Sequence, residues 1–267
     1  MQTTDSLTDR QMHEAKGQLL GFLNASSEPH QAYQAHLRAV RTRSEGLAHR
    51  IAGIKTARTH DLLSRLEYHA FLMFEFSVNI TNIREQFPIP LALTLALAKS
   101  LGVKHPYNWR ERKVAQMSAD FVLTLKEGEW LAVDVKPEGK LNRDRVREKL
   151  KLTKEAFACV GVTHKIVTES DLPAVAINNY RVLHPLALRF DEPPLPGTEL
   201  ERGTAALIAQ LKSGKTTIRD AANRVHAETR SGVGHLIRTA MWQIARRHWQ
   251  VDLTRPIGPD QPLCFLS

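Results

Sequence analysis

The feature that most limits the folds open to this chain is a change of hydrophobic period near residue 120. The runs at 119–125 (ADFVLTL) and 130–136 (WLAVDVK) are rich in strand-forming residues, and the charged segment KEGE joins them. This pattern predicts a β-hairpin. A helical run at 141–158 and a short strand at 165–168 follow. The order strand, strand, helix, strand indicates an α/β core.

The segments before this core are predicted to be mainly helical. Residues 1 to about 55 carry apolar patches among many Arg, His and Gln. Residues 60–76 also have apolar residues at helical spacing, and Ser64 with Glu67 forms an S-x-x-E pair. Such a pair is typical of a helix start, so this helix is predicted to begin inside the run. A short extended segment at 80–88 follows.

The C-terminal third is predicted to form a separate helical module. The proline-rich segment DEPPLPG at 191–197 is a candidate linker or turn. Three helix-like runs follow at 198–212, 217–229 and 233–249, and a β-like tail closes the chain. Three helices with a terminal strand pair indicate a winged-helix-like module. The predicted parts are an N-terminal helical segment at 1–50, an α/β domain at 51–175 and a winged-helix-like domain at 176–267.

Composition narrows the class of protein. Hydrophobic residues make up 42% and charged residues 24%, as in ordinary globular proteins. The longest apolar stretch, 89–98, is too short to cross a bilayer, and the N-terminus lacks a signal-peptide pattern. Two cysteines cannot build a disulfide framework or a cysteine metal site. We therefore expect a cytoplasmic protein that does not enter membranes.

The net charge of +9 suits a polyanionic partner, because Lys and Arg neutralise phosphates. Basic residues concentrate in two predicted helices. The helix at 141–158 could lie along a phosphate backbone, or its cations could pair with acids on the same solvated face. The helix at 233–249 could enter a major groove, and its Trp242 is expected in the core. The twelve histidines lack H-x-x-H or HExxH spacing, so they are interpreted as surface or packing residues.

The predicted hairpin carries the side chains with chemical potential. Asp120 lies near the start of its first strand, and Asp134-Val135-Lys136 ends the second. Two carboxylates and the carbonyl of Val135 could converge on one divalent ion. Lys136 lies two residues past Asp134, so in a strand it projects from the same face, where it could orient or deprotonate water. The alternative is a solvated surface hairpin, since the same triplet pattern recurs at 111–113 and 138–140.

Glu67 is the candidate for a third carboxylate. It lies beside Leu66 and Ala70, and burying an unpaired charge among apolar side chains is costly. The position is more easily explained if Glu67 faces a metal ion or another cation. The alternatives are that it points to solvent or acts as a cap acid with Ser64. Gln86 could also lie near the site, but solvent exposure is the expectation for it.

Several blocks, in order, resemble the TnsA family, the endonuclease subunits of heteromeric cut-and-paste transposases. They are LLSRLEYHAFLMFEFSVNITNIREQFPI, SADFVL and VDVKPEGKLNRDRVREKLKL, within about residues 50–170. The resemblance implies a restriction-endonuclease-like mixed sheet flanked by helices, followed by a winged-helix-like domain. It also implies hydrolysis of the 5′ strands at transposon ends with Mg²⁺, or Mn²⁺ in its place. The implied partners are double-stranded DNA, an integrase-type transposase that cuts the 3′ strands, and a regulatory AAA+ ATPase.

Through this resemblance, Glu67 matches the family's helix glutamate, Asp120 its first-strand aspartate and Lys136 its catalytic lysine. Asp134 stands where Gln is an alternative in the family, and SAD replaces a common proline before the first aspartate. The predicted catalytic residues are thus Glu67, Asp120, Asp134 and Lys136, and the predicted metal ligands are Glu67, Asp120, Asp134 and Val135. A self-sufficient restriction or repair nuclease of the same fold, and a non-catalytic DNA-binding adaptor, are the alternative functions.

Overall fold

The computed structural model describes residues 9–25, 33–35, 48–109, 111–189, 197–212 and 214–266. The chain divides into two compact units, Met1–Leu172 and Pro173–Ser267. All of the predicted linker except Gly197 lies outside the described residues.

The first unit alternates helices and strands along the chain. Its elements are α1 (Asp9–Ala25), β1 (His49–Ala52), β2 (Thr59–Leu62), α2 (Arg65–Glu75), β3 (Ile80–Pro88), α3 (Leu91–Ser100), β4 (Tyr107–Asn108), β5 (Lys113–Val114), β6 (Ser118–Leu125), β7 (Trp130–Val135), α4 (Asp144–Ala158) and β8 (Thr163–Val167). The predicted mixed α/β architecture is therefore confirmed for this unit.

A four-stranded sheet in the order β3-β6-β7-β8 forms the centre of the unit. The β3–β6 and β6–β7 pairs are antiparallel, whereas β7 and β8 are parallel and joined through α4. The predicted hairpin is confirmed as β6–β7. Leu125 N–H donates to Glu129 O (2.8 Å), and Gly128 supplies the positive φ of +90° that closes the turn.

Helices cover the sheet because their apolar stripes complete its core. Leu19 of α1, Leu93 of α3 and Phe157 of α4 are fully buried in one cluster with Val122 of β6 and Ala132 of β7. Helix α2 contributes a separate contact, in which the rings of Phe74 and Phe121 meet edge to face with centroids 5.3 Å apart. The hairpin is thereby held between packed layers.

One segment in the N-terminal part differs from the predictions, and the predicted start of the helix inside residues 60–76 is confirmed. The helical interpretation of residues 1 to about 55 holds for α1 but is wrong at His49–Ala52, which is strand β1 paired with β2. Residues 60–62 belong to β2, so α2 begins only after Ser64. Cross-strand pairing, which no local periodicity reports, decides both segments. The prediction at 1–8, 26–32 and 36–47 lies outside the described residues.

The described residues of the second unit form four helices: α5 (Ala174–Arg189), α6 (Gly197–Leu211), α7 (Ile218–Thr229) and α8 (Val233–Ala245). The last three match the predicted helical runs, although α8 ends before the predicted limit at 249. Trp242 is buried, as expected. Isolated bridges join Thr217 to Pro262 and Val251 to Phe265. None of the described helices is both long and apolar enough to cross a membrane.

Candidate active site

Asp120 and Asp134 lie side by side at the open end of the β6–β7 hairpin, away from its turn. Asp120 is near the start of β6 and Asp134 near the end of β7, so the antiparallel pairing brings them to the same edge. Both are buried, with 9% and 4% of their surface exposed. Oδ2 of Asp120 accepts a hydrogen bond from the backbone N–H of Val135 (2.7 Å), which ties the two strand ends together.

The ammonium of Lys136 lies among the oxygens predicted to bind a metal. Its Nζ is 2.5 Å from Oδ2 of Asp120, 3.6 Å from Oδ1 of Asp134 and 3.2 Å from the carbonyl oxygen of Val135. A cation therefore already occupies the centre of this oxygen set.

Glu67 caps the start of helix α2 and is buried, at 7% exposed. Its Oε1 accepts from Ser64 Oγ (2.9 Å), and its Oε2 accepts from Leu63 N–H (2.9 Å). In return, Glu67 N–H donates to Ser64 Oγ (3.1 Å). The geometry of the cap-acid alternative is present, and exposure to solvent is ruled out. Burial raises the pKa of Glu67 and the positive charge of Lys136 opposes this rise, so the helix cap is electrostatically coupled to the hairpin residues.

Gln86 connects the helix carboxylate to the hairpin, and the expectation that it is solvent-exposed is wrong. It is 2% exposed, its Nε2 donates to Oε2 of Glu67 (3.1 Å), and its Oε1 accepts from Ser118 Oγ (3.4 Å). Its φ of +48° interrupts the regular pleat of β3. A left-handed backbone at a non-glycine residue has no sequence signal, so strand periodicity could not place this side chain.

His164 is a site residue that the sequence interpretation missed. It lies in β8, opposite Ala132 of β7 in the parallel pair, and its side chain is 3% exposed. Its Nε2 is 2.9 Å from Oδ2 of Asp134. Because Asp134 is an ionised acceptor, the ring must donate here, so the imidazole is more than a packing group. The contact between His164 and Asp134 depends on the register of β7 and β8, and the spacing of histidines along the sequence does not reveal that register.

The electrostatics of the site are dominated by three carboxylates that share one ammonium. Burial raises the pKa of Asp120 to about 7; Lys136 opposes this shift, and Asp134 and Glu67 add to it. Burial likewise raises the pKa of Glu67. Burial would also raise the pKa of Asp134, but the hydrogen bond from His164 and the charge of Lys136 outweigh it and lower that pKa. Because the site contains more carboxylates than cations, binding of a further positive charge there is favoured.

The oxygen set fits a hard divalent cation. Carboxylate and carbonyl oxygens are the ligands that Mg²⁺ and Mn²⁺ prefer, and Asp120, Asp134 and Val135 present three of them around Nζ of Lys136. In the described part of the chain, no group of three or more His, Cys, Asp or Glu side chains is clustered as a metal site. Both carboxylate oxygens of Glu67 accept hydrogen bonds within the α2 cap.

A cavity of about 240 Å³ opens beside these groups. Its lining includes Asp120, Asp134 and Lys136, together with Gln116, Ser118 and Lys149. Burial, together with the charges of Arg145 and Lys136, lowers the pKa of Lys149. The ion-pair alternative predicted for helix α4 is present in the structure, while contact of this helix with a phosphate backbone stays a prediction. Arg147 pairs with Asp144 on the solvated face (2.8 Å), whereas Lys149 faces the cavity.

Comparison with known proteins identifies the family of this domain. Residues 77–169 match the family described as TnsA-like endonuclease N terminal. The match contains Asp120, Asp134, Lys136 and His164, whereas Glu67 precedes it. This domain belongs to the TnsA-like family. The resemblance predicted from the sequence blocks is confirmed.

A curated relative extends the similarity beyond the TnsA-like domain itself. The chain is 35% identical over 171 residues to the transposon Tn7 transposition protein TnsA of Escherichia coli. The aligned part covers 63% of this chain and 57% of the relative, so the chain spans little more than half the length of that protein.

Proposed function

We propose that this protein is a divalent-metal-dependent DNA endonuclease that hydrolyses the 5′ strands at transposon ends, as a subunit of a heteromeric transposase. The observation that carries the proposal is the arrangement of Asp120, Asp134 and the Val135 carbonyl around the ammonium of Lys136. The TnsA-like match over the same residues supports it.

In this proposal Asp120, Asp134 and the carbonyl of Val135 hold Mg²⁺, or Mn²⁺ in its place. The bound ion supplies Lewis-acid activation of water and of the scissile phosphate. Lys136, displaced from the carboxylates, donates hydrogen bonds to the attacking water and neutralises charge on the phosphate. Glu67 completes the acidic side of the site from the start of α2, held there by Ser64 and Gln86.

The same proposal includes the substrate and partners. Double-stranded DNA would lie across the cavity with its phosphate backbone toward Lys149 of α4. The relative's name describes a transposition protein, which supports an integrase-type transposase as the partner that cuts the 3′ strands. We also propose an AAA+ ATPase as regulator and the cytoplasm as the place of action. Helices α6–α8 and their two bridges support a winged-helix-like module in the second unit, which would bind DNA or one of these partners.

The experiment is a strand-specific nicking assay on a duplex that carries the transposon end, with Mg²⁺, with and without the cognate transposase. Asp120→Asn and Lys136→Ala should each lower the 5′-strand nicking rate by at least about 100-fold, because each removes a charge that acts on the reacting phosphate. Lys126→Ala, an exposed lysine at the opposite end of the same hairpin, is the matched control and should keep the activity.

The outcomes separate the alternatives. Nicking only in the presence of the transposase supports the proposed subunit. Site-specific cutting by the protein alone would instead identify a self-sufficient nuclease. DNA binding without any nicking, in the wild type as in Asp120→Asn, would identify a non-catalytic adaptor and overturn the proposal.

A further inference from the structure

The short hairpin β4–β5 presents the most exposed aromatic side chain among the described residues. Trp109 is 82% exposed, and its ring meets that of Tyr107 edge to face with centroids 4.8 Å apart. Trp242 and Trp249 are buried and Trp130 is half-buried. We call residues 107–114 the Trp109 hairpin; position 110 lies outside the described residues. Trp109 and Tyr107 therefore form a small exposed aromatic pair, and the charge and position of that pair indicate what it could contact.

The base of the Trp109 hairpin is firmly anchored. Arg145 of α4 donates to the carbonyl oxygens of Lys104 (2.5 Å) and His105 (3.1 Å). The ring of His105 is bonded in turn to Thr94 of α3, with Nε2 2.9 Å from Oγ1. At its tip, Oδ1 of Asn108 accepts from Glu111 N–H (3.2 Å). The base of the Trp109 hairpin, which we also call the arm, is therefore tied to helices α3 and α4.

The arm begins at the rim of the candidate active site. Pro106 and Ala115, whose backbone hydrogen bond of 2.9 Å closes its base, both line the cavity that contains Asp120 and Lys136. Since a strand advances by about 3.3 Å per residue, Trp109 stands within about 10 Å of this rim. That distance corresponds to about three nucleotides along a DNA strand.

The charge around the arm suits a polyanion. Arg112 and Lys113 are exposed on the arm, and Lys104 is exposed at its base. Glu111 pairs with Lys113 (2.8 Å), which leaves the cations in excess. An aromatic side chain flanked by cations is typical of nucleic-acid contacts, because bases stack on the ring while cations hold the backbone.

We propose that the Trp109 hairpin is a DNA-contacting arm, in which Trp109, backed by Tyr107, stacks on an unpaired nucleobase about three nucleotides from the phosphate held in the cavity. Arg112 and Lys113 contact the adjoining backbone. This inference rests on the proposed function, since it takes DNA as the occupant of the cavity. It adds a binding site that the carboxylates and Lys136 do not provide.

The test uses the intrinsic fluorescence of the full chain titrated with an unlabelled nicked DNA duplex at low salt. Base stacking on Trp109 should quench tryptophan emission, and Trp109→Phe should lose most of that quenching. Trp130→Phe is the matched control and should keep it. In parallel, the anisotropy of a labelled copy of the duplex measures affinity, which should fall by about tenfold in Trp109→Ala and much less in Trp109→Phe.

Several results would overturn the inference while leaving the proposed function intact. One is tight binding of the duplex with no change in tryptophan emission and with wild-type affinity in Trp109→Ala. Another is a Trp109→Ala variant that binds DNA normally but loses stimulation by the transposase, which would make the arm a protein contact. If the wild type binds no duplex even with the cognate transposase present, the proposed function fails and this inference fails with it. Circular dichroism confirms folding, and the Trp109→Phe fluorescence decides the matter if Trp109→Ala unfolds.

Discussion

Two buried charge clusters lie close together in the first unit, and they differ in charge balance. The site cluster contains Glu67, Asp120, Asp134 and Lys136, in which three acids share one ammonium. The second, which we call the Arg58 cluster, consists of Arg58, His60 and Glu85, in which one acid has two nitrogen partners. Glu85 and Gln86 are adjacent in β3, so one strand contributes a side chain to each region.

In the Arg58 cluster the single carboxylate is fully matched. Arg58 bonds both oxygens of Glu85, at 2.8 and 2.6 Å, and Nδ1 of His60 lies 2.7 Å from Oε2. The guanidinium also lies over the ring of Tyr33, 4.9 Å from its centroid. Burial alone would raise the pKa of Glu85, but its hydrogen bonds with His60 and Arg58 lower it to about 2.

Two acids of the site cluster, Asp120 and Glu67, respond to burial in the opposite way. The pKa of Asp134, in contrast, is lowered because His164 and Lys136 outweigh its burial. Asp120, with only a share of Lys136, has its pKa raised to about 7. The difference teaches that burial does not by itself determine whether a carboxylate is ionised; the count of neighbouring charges does. The Arg58 cluster is complete within the fold and serves stability, whereas the site cluster is short of positive charge and suits a divalent ion.

The largest expected effect is on stability at Glu85. Glu85→Gln should lower the free energy of unfolding at neutral pH by about 3–5 kcal/mol, because it leaves Arg58 as a buried cation without its partner. Since the pKa of Glu85 is lowered from 4.5 to about 2, its contribution is present above about pH 4.5. It is lost as the pH falls toward 2. Urea unfolding at neutral and at acidic pH measures the loss, which should shrink on acidification.

Glu75→Gln is the matched control for this prediction. Glu75 is also buried, and it accepts hydrogen bonds from the backbone N–H groups of Ile54 (2.6 Å) and Lys55 (3.2 Å). Burial raises its pKa to about 7, so the folded protein already tolerates the neutral form. The substitution should cost no more than about 1 kcal/mol. Equal losses of unfolding free energy in Glu75→Gln and Glu85→Gln would mean that the ion pair with Arg58 does not distinguish Glu85 from other buried acids.

The next effect concerns His164, which positions Asp134 from β8. His164→Ala should weaken binding of Mn²⁺ to the site by about 10- to 100-fold, because Asp134 loses the donor that orients its carboxylate. His164→Gln keeps an N–H donor and should recover part of the affinity. Lys165→Ala, at the exposed neighbouring position, should leave it unchanged. Isothermal titration calorimetry with Mn²⁺ measures all three, and equal affinities in the Ala and Gln variants would contradict the positioning role.

The smallest expected effect is a pH dependence of metal binding. A proton and a metal ion compete for Asp120, whose pKa is raised to about 7. The affinity for Mn²⁺ should therefore fall by about tenfold from about pH 8 to about pH 6. The stabilisation of the fold by Mn²⁺, followed as a shift in Tm, should decline in the same direction. Glu85 stays ionised throughout this interval, so an affinity that does not change with pH would mean that the site cluster is as well matched as the Arg58 cluster.

Local patterns were sufficient to predict much of the fold and the placement of the hairpin acids. The alternation in β7 put Asp134 and Lys136 on one face, and both side chains meet in the structure. The S-x-x-E pair predicted the start of α2, and Ser64 is its N-cap. Strand β1 and helix α5 were not predicted. Strand β1 is stabilised by pairing with β2, and helix α5 packs against α8.

The sequence by itself determined the strand-turn-strand element, the family blocks and the types of side chain available for metal chemistry, because these depend on neighbours within a few residues. Only the tertiary structure decided that His164 meets Asp134 and that Gln86 turns toward Glu67. It also decided that the base of the Trp109 hairpin lies at the rim of the cavity. The physical reason is that these contacts follow from strand register, a left-handed backbone and the anchoring of one segment on two helices. No periodicity along the chain records any of the three.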